Sequence, residues 1–182
     1  DQLLLRPLPY PEGDKLVMVY EARNSNSHNP VSPATWLDWQ RDNRTLERVA
    51  AWAAGRSAIL TGAGEATRLS LQAVSSEFFS VLRVEPILGR TINEDDDRPN
   101  SPDVAVISHR LWQTRFGGDR NIVGRFIELN DAPAQVVGVI EGLLERVRDR
   151  GPLAVVKPRP LAADALDPVA LHLHAEDGLL GM

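Results

Sequence analysis

The sequence predicts an α+β fold, and two observations carry that prediction. Apolar runs of strand length bounded by turn residues occur at 15–20, 66–75, 104–107, 126–129 and 135–140. Between them lie short segments with apolar residues at helical spacing behind serine caps, at 32–43, 75–82 and 108–117. Both kinds of element are mixed along one chain and the last two strands form a hairpin, an arrangement suited to helices packed on a sheet.

Composition sets the outer limits. The chain has 182 residues, 43% of them hydrophobic, enough for one ordinary domain or two small lobes sharing a core. A formal charge of −5 and a pI near 5.4 argue against a nucleic-acid partner, which needs a clustered basic surface. Cysteine is absent, which excludes disulfides, thiolate metal sites and cysteine nucleophiles together. No run approaches the ~20 apolar residues of a bilayer-spanning helix.

In order, residues 1–14 are expected to end an arriving helix near Leu5 and to hold Pro7, Pro9 and Pro11 in an extended connector. A strand at 15–20 and a polar turn at 24–29 follow. Ser32 and Pro33 then supply a cap and a first helical residue for a helix reaching about Asn43. Trp36 and Trp39 face a sheet with Leu37 beside them, while Asp38, Gln40 and Arg41 meet water. Residues 49–61 are extended and bent at Gly55, and Gly62-Ala63-Gly64 turns the chain. Residues 66–75 alternate, with Arg68, Ser70 and Gln72 opposite in face to Leu69, Leu71 and Ala73. Ser75 and Ser76 start a short helix with Phe78, Val81 and Leu82, which stops before Pro86.

The most ordered text runs from Val104 to Ile140. Its apolar strand at 104–107 leads to Ser108, the cap of a helix in which Leu111, Trp112, Arg115 and Phe116 recur at helical spacing and Gly117-Gly118 ends the run. The hairpin of 126–129 and 135–140 turns at Asn130-Asp131-Ala132-Pro133, with Pro133 confined to the loop. Trp112 and Phe116 are expected to pack beneath it. Beyond Ile140 come a charged helical turn or two at 141–150 and a stretch interrupted by Pro152, Pro158, Pro160 and Pro168. With no sustained alternation, 151–182 is expected to pack poorly, the alternative being that 153–156 or 169–173 supplies a missing strand.

Candidate chemistry is sparse. Ser108-His109 with an acid at Asp95, Asp96 or Asp97 would suit a small hydrolase, but no Gly-x-Ser-x-Gly elbow frames Ser108 and a helix cap accounts for it. Asn93 to Asp97, NEDDD, has carboxylates for calcium without the spacing or turn glycine of an EF-hand loop, and reads as a solvated acidic loop. His172 and His174 share a strand face without a third ligand. Trp36 and Trp39 have the spacing of core aromatics rather than of a ligand platform. Gly62-Ala63-Gly64 lacks the lysine and Ser/Thr of a phosphate loop. No catalytic, cofactor-binding or metal-binding residue is assigned, and no cofactor is expected.

Four stretches nevertheless stand in a familiar order: LLLRPLPYPEGDKLVMVYE from Leu3, VSPATWLDWQ from Val31, VSSEFFSVLRVEPILGRTI from Val74, and VAVISHRLWQTRFGGDRNIVGRFIELNDAPAQVVGVI from Val104. Together they resemble the MacB-like periplasmic core domain of FtsX-like and MacB-like permeases of the ABC transporter superfamily. The branch they resemble is the large-permease group common in acidobacteria and related soil bacteria. The resemblance implies a β-α-β porter-like lobe with a β-rich sabre-like lobe inserted into it. Residues 1–62 would be the first part of the porter-like lobe, following a transmembrane helix, 63–140 the sabre-like lobe, and 141–182 a divergent tail in place of the family's returning β-α-β segment. That tail reads equally as a divergent ending, a truncated product or a reading-frame scar.

What the resemblance implies is mechanotransmission without chemistry. The domain would face the periplasm from a bacterial inner membrane and couple ATP-driven motion in the cytoplasm to export or periplasmic events. Its partners would be an ABC ATPase subunit, a second permease copy in a homodimer, and a periplasmic adaptor. A free-standing periplasmic binding or adaptor module is the alternative, and the small hydrolase a third.

Overall fold

The computed structural model describes residues 15–19, 31–141, 153–156 and 169–175. The readings made above for 1–14, the 24–29 turn and 142–150 lie outside these residues. Among the described residues, nine strands and three helices follow one another as β1 (Leu16–Val19), α1 (Pro33–Asp42), β2 (Leu46–Thr61), β3 (Thr67–Val74), α2 (Phe78–Val81), β4 (Pro86–Gly89), β5 (Val104–Ser108), α3 (His109–Phe116), β6 (Phe126–Leu129), β7 (Ala132–Ile140), β8 (Leu153–Val156) and β9 (Val169–Ala175). A 3-10 turn at Arg120–Ile122 links α3 to β6. The fold is α+β, with β3–β8 and β5–β7 parallel and the remaining pairings antiparallel.

The strands lie in the order β1-β9-β2-β3-β8-β5-β7-β4, and β6 pairs with both β2 and β7. These pairings close a ring: β2, β3, β8, β5, β7 and β6 each have a neighbour on either side within it. One core cluster takes Ala58 and Leu60 from β2, Leu69 from β3, Ala105 and Ile107 from β5, Ile127 and Leu129 from β6, and Ala134, Val136 and Val139 from β7. Residues from five ring strands converging on one cluster define its interior. Leu111 of α3 and Ile122 of the 3-10 turn complete that cluster, both fully buried.

The opposite face of the same strands is covered by α2. Val104, Val106, Val137 and Ile140 alternate in sequence with the interior residues and pack with Phe78, Phe79, Val81 and Leu82. Phe78 and Phe79 meet edge to face with centroids 5.5 Å apart, a geometry the ring quadrupoles favour. A third, smaller cluster seats α1 through Trp36 and Trp39 on Val31, Val49, Leu46 and Val19. Leu37, beside these aromatics in sequence, points outward at 63% exposure.

Two register shifts let single strands serve both cores. In β2, Ala53 faces Ala73 while Arg56 faces Leu71, so one extra residue is inserted around Gly55. Such a bulge reverses the facing of everything beyond it. Ala50 and Trp52 therefore belong with the α2 side, whereas Ala58 and Leu60 enter the ring. β7 repeats the device at Gly138, where a Cβ would collide with the backbone oxygen of Arg90. Its neighbour across the β4 ladder, Gly89, sits at φ 73 and would likewise strike the backbone oxygen of Val137. These two glycines permit β4 to approach β7 more closely than side chains allow.

Several expectations are met and others corrected. Ser32 and Ser108 cap α1 and α3, accepting from the N–H groups of Thr35 and Leu111, each at 3.2 Å, and Gly117 ends α3 at φ 60. The hairpin forms, but its loop is only Asn130-Asp131, both at positive φ (52 and 61) as a type I′ turn requires. Pro133 is not in the loop; it lies in β7 opposite Glu128, ahead of the first β5 pairing at Gln135, where a missing N–H breaks no ladder on that side. The largest correction concerns 151–182, where the alternative of added strands holds: 153–156 form β8 and 169–175 form β9. β8 joins β3 to β5, and β9 is interleaved between β1 and β2.

Candidate functional site

Ser108 and His109 adjoin in sequence but serve separate structural ends. Ser108 is 1% exposed, with its Oγ engaged by the N–H of Leu111. His109 is exposed, lies over Trp112 edge to face at 5.6 Å, and its Nε2 is 3.3 Å from Gln113 Nε2. The acids once paired with them on paper are engaged elsewhere. Asp95 meets Arg98 at 2.8 Å, Asp96 meets Arg90, and Asp97 accepts from the N–H of Ser76 at 2.8 Å. A serine–histidine–acid relay is not assembled from these residues.

The acidic loop is solvated at Asn93, Glu94, Asp95 and Asp97, and only Asp96 departs from that reading. Asp96 is 7% exposed and takes both arms of the Arg90 guanidinium, at 2.5 and 2.9 Å, and the N–H of Asn93 at 2.9 Å. The side-chain hydrogen bonds that Arg90 donates to Asp96 push its guanidinium above its ordinary pKa, against the opposing effect of burial. Ser101 Oγ donates to the Asp96 carbonyl, so the loop is tied to itself on both sides. A carboxylate satisfied by a bidentate arginine and a backbone N–H is a structural fastening. No cluster of three or more metal-ligating side chains occurs among the described residues. His172 and His174 occupy alternate positions of β9, opposite Met18 and Leu16 of β1.

A concave feature among the described residues lies at the C-terminal end of α1. Asn43 fixes it: its N–H donates to the Trp39 carbonyl, its Nδ2 donates to the Leu46 carbonyl at 2.7 Å, and its Oδ1 accepts from the N–H groups of Thr45 and Leu46. One residue thus ends the helix and starts β2. The groove beside it, about 250 Å³, has Val19, Trp39, Leu46 and Val49 as an apolar floor and Asp42, Arg44 and Thr45 at its rim. Sequence reasoning missed it because its walls come from β1, α1 and β2. Asn43, a cap followed by a strand, was the available signal. The groove presents binding surface and no nucleophile–base pair.

The larger relationship is between the two ends of the described chain. β1 and β9 are antiparallel, with Leu16 opposite His174 and Val19 opposite Leu171. The start of β1 and the end of β9 are therefore neighbours at one end of the sheet. A family model for the MacB-like periplasmic core domain matches residues 6–160, nearly the whole of this architecture.

The chain belongs to the MacB-like periplasmic core domain family.

Solved structures agree on the fold. The periplasmic region of MacB from Actinobacillus actinomycetemcomitans superposes with a TM-score of 0.67 at 16% identity, covering 90% of this chain and 75% of that one. The extracellular domain of the noncanonic ABC-type transporter YknZ from Gram-positive bacteria gives 0.62 at 16% identity, covering 89% and 82%. No curated protein sequence matches. In this MacB-like domain, no described helix is long and apolar enough to cross a membrane.

Proposed function

We propose that this MacB-like domain is the noncatalytic extracytoplasmic part of an ABC-type permease in a bacterial inner membrane, passing ATP-driven motion from the cytoplasm to export or to periplasmic events. The observation that carries the reading is the pairing of Leu16 with His174. Segments preceding β1 and following β9 leave from adjacent points at the same end of the sheet, so two membrane-anchored flanks would load a single strand pair. Through β9 that load reaches β2, whose sixteen residues run on past the Gly55 bulge into the ring. In place of the boundaries expected at residues 62 and 140, this reading assigns β1, α1, β9 and the first half of β2 to the porter-like lobe and the ring to the sabre-like lobe. An ABC ATPase, a second permease copy and a periplasmic adaptor are its partners.

These 182 residues contain no cysteine of their own, so an introduced thiol is the only one within them. Cysteines introduced at the exposed positions Arg98 and Thr114 should react with a membrane-impermeant maleimide in intact spheroplasts of cells carrying the permease. Reaction only after lysis would exclude the extracytoplasmic placement. For the coupling, Thr45→Cys at the groove rim should be labelled at different rates in the ATP-hydrolysing permease and in one whose ATPase is inactive. Identical rates would reject the transmission of motion to this lobe.

A further inference from the structure

The joints of the strand ring are of unequal strength. β2 and β3 form one long antiparallel hairpin. β6 and β7 form another, which α3 and the parallel strand β5 bind into a single body. On one side β8 bridges the two, pairing with β3 and with β5. On the other side β2 meets β6 directly, and among the described residues that seam is the shortest ladder in the ring: Leu60 faces Leu129 and Thr61 faces Glu128. Its further fastenings reach water. The N–H of Ile59 donates to Asn130 Oδ1, Thr61 Oγ1 donates to Glu128 Oε2 at 3.0 Å, and Arg115 of α3 donates to the Glu65 carbonyl at 3.1 Å. All three lie at exposed positions, where water competes for the same groups.

The core divides along the same line. Ile107, Leu111, Ile122, Val136 and Val139 of the ring cluster all come from the β5–β7 body and are fully buried. The β2–β3 hairpin adds Ala58, Leu60 and Leu69 as its buried share. Departure of the hairpin therefore leaves the larger part of the cluster packed within one body, which is the condition for an opening short of unfolding. Load has a direct route to the seam, because the ring half of β2 is continuous with the half that pairs with β9.

We propose that the ring opens at the β2–β6 seam, the β2–β3 hairpin swinging from the β5–β7 body with β8 as the strap between them, and that a pull through β2 drives the opening. The opened state presents the β6 edge, with Ala58, Leu60 and Leu129, in a cleft that the closed ring hides. A pull along β2 carries β3 with it through their long ladder and loads the short ladder with β6 in shear. The pull rests on the transmission of motion proposed above; the opening itself does not.

Thiols placed inside the ring of the full chain report the opening. Ala58→Cys puts one on the departing hairpin and Ala105→Cys one on β5 in the same cluster, both at buried positions. Reaction with a small disulfide reagent should be at least about tenfold faster at position 58. That rate should stay nearly constant in low urea, because the opening exposes far less surface than unfolding. Trp112→Phe, which loosens the β5–β7 body alone, should speed reaction at position 105 severalfold and leave position 58 unchanged, whereas Asn130→Gly at the seam should speed both. Leu129→Cys, across the seam, is the second reporter and introduces a smaller side chain instead of a larger one. Equal rates at positions 58 and 105, or a Trp112→Phe effect shared by both, would mean that the ring parts only on unfolding, and overturn the opening. In the permease, ATP hydrolysis should speed reaction at position 58 relative to the inactive ATPase. A rate there that hydrolysis leaves unchanged, while it alters the rate at Thr45→Cys, overturns the pull and leaves transmission standing; rates unchanged at both positions overturn transmission and the pull together.

Discussion

Asn130 and Ile59 exchange two hydrogen bonds across the seam of the strand ring: the N–H of Ile59 donates to Asn130 Oδ1 at 2.8 Å, and the N–H of Asn130 donates to the Ile59 carbonyl at 3.0 Å. Asn130 also sits at φ 52 in the hairpin turn. A single residue therefore turns β6 into β7 and fastens that turn to β2. Asn130→Gly keeps the left-handed backbone and removes the side-chain acceptor, so it should cost about 0.5–1.5 kcal/mol in urea melts. Asn130→Ala adds left-handed strain of about 1–2 kcal/mol. Equal losses for the two variants would show that the backbone conformation contributes nothing.

Leu111 is the anchor of α3, at 0% exposure inside the ring core, while Trp112 and Phe116 pack partly buried at its margin. Leu111→Ala should destabilise the domain by about 2–5 kcal/mol through the cavity it leaves. Trp112→Phe keeps most of the apolar contact and loses the indole N–H donated to the Asp119 carbonyl at 2.8 Å. Its expected cost is about 0.5–1.5 kcal/mol. A Trp112→Phe loss larger than that of Leu111→Ala would reverse the assignment.

Breaking the Arg90–Asp96 pair by Asp96→Asn should cost about 1–3 kcal/mol, a moderate value because the Arg90 side chain is itself half exposed to screening water. The pH dependence has a definite sign. Arg90's folded pKa is raised, so its contribution is complete below the unfolded value and fades only as pH rises through the still higher folded value. The loss on Arg90→Met should accordingly be the same at about pH 6 and about pH 9. A marked change over that window would mean that another titrating group carries the fastening.

Truncation after Glu141 removes β8 and β9. The ring would then be open between β3 and β5, and β1 would lose its strand partner. The truncated chain should lose its cooperative urea transition and bind a hydrophobic dye. A truncated domain with an unchanged melting temperature would show that the two strands add no stability.

The parts of the fold legible in sequence are those specified locally. Ser32-Pro33 and Ser108 announce helices because a cap and its helix are adjacent, and the Asn130-Asp131 hairpin is announced by residues that tolerate positive φ. β8 was legible only as an alternative, for a physical reason: Leu153 to Val156 is a strand with neighbours on both sides, and such strands read as continuous apolar runs without alternation. β4 was hidden by Pro86, which breaks helices yet is tolerated at the start of an edge strand. Asp96 lies within a run of exposed acids, and only the fold brings the Arg90 guanidinium against it. The groove at Asn43 was illegible because Val19, Trp39 and Val49 are brought together by packing that no short spacing encodes.

The interleaving of β9 between β1 and β2 also imposes an order in time. Leu16 finds its register opposite His174, almost the full length of the chain away, so this ladder has a very high contact order and a large loop-closure entropy opposing its formation. The β5–α3 unit and the β6–β7 hairpin depend on near neighbours and are free to form early. During synthesis, or passage across a membrane from the N-terminal side, β1 would emerge first and remain without its partner until β9 follows. Folding of this domain should therefore show a fast phase in the β5–β7 region and a slower one that protects β1, β9 and the first half of β2 together.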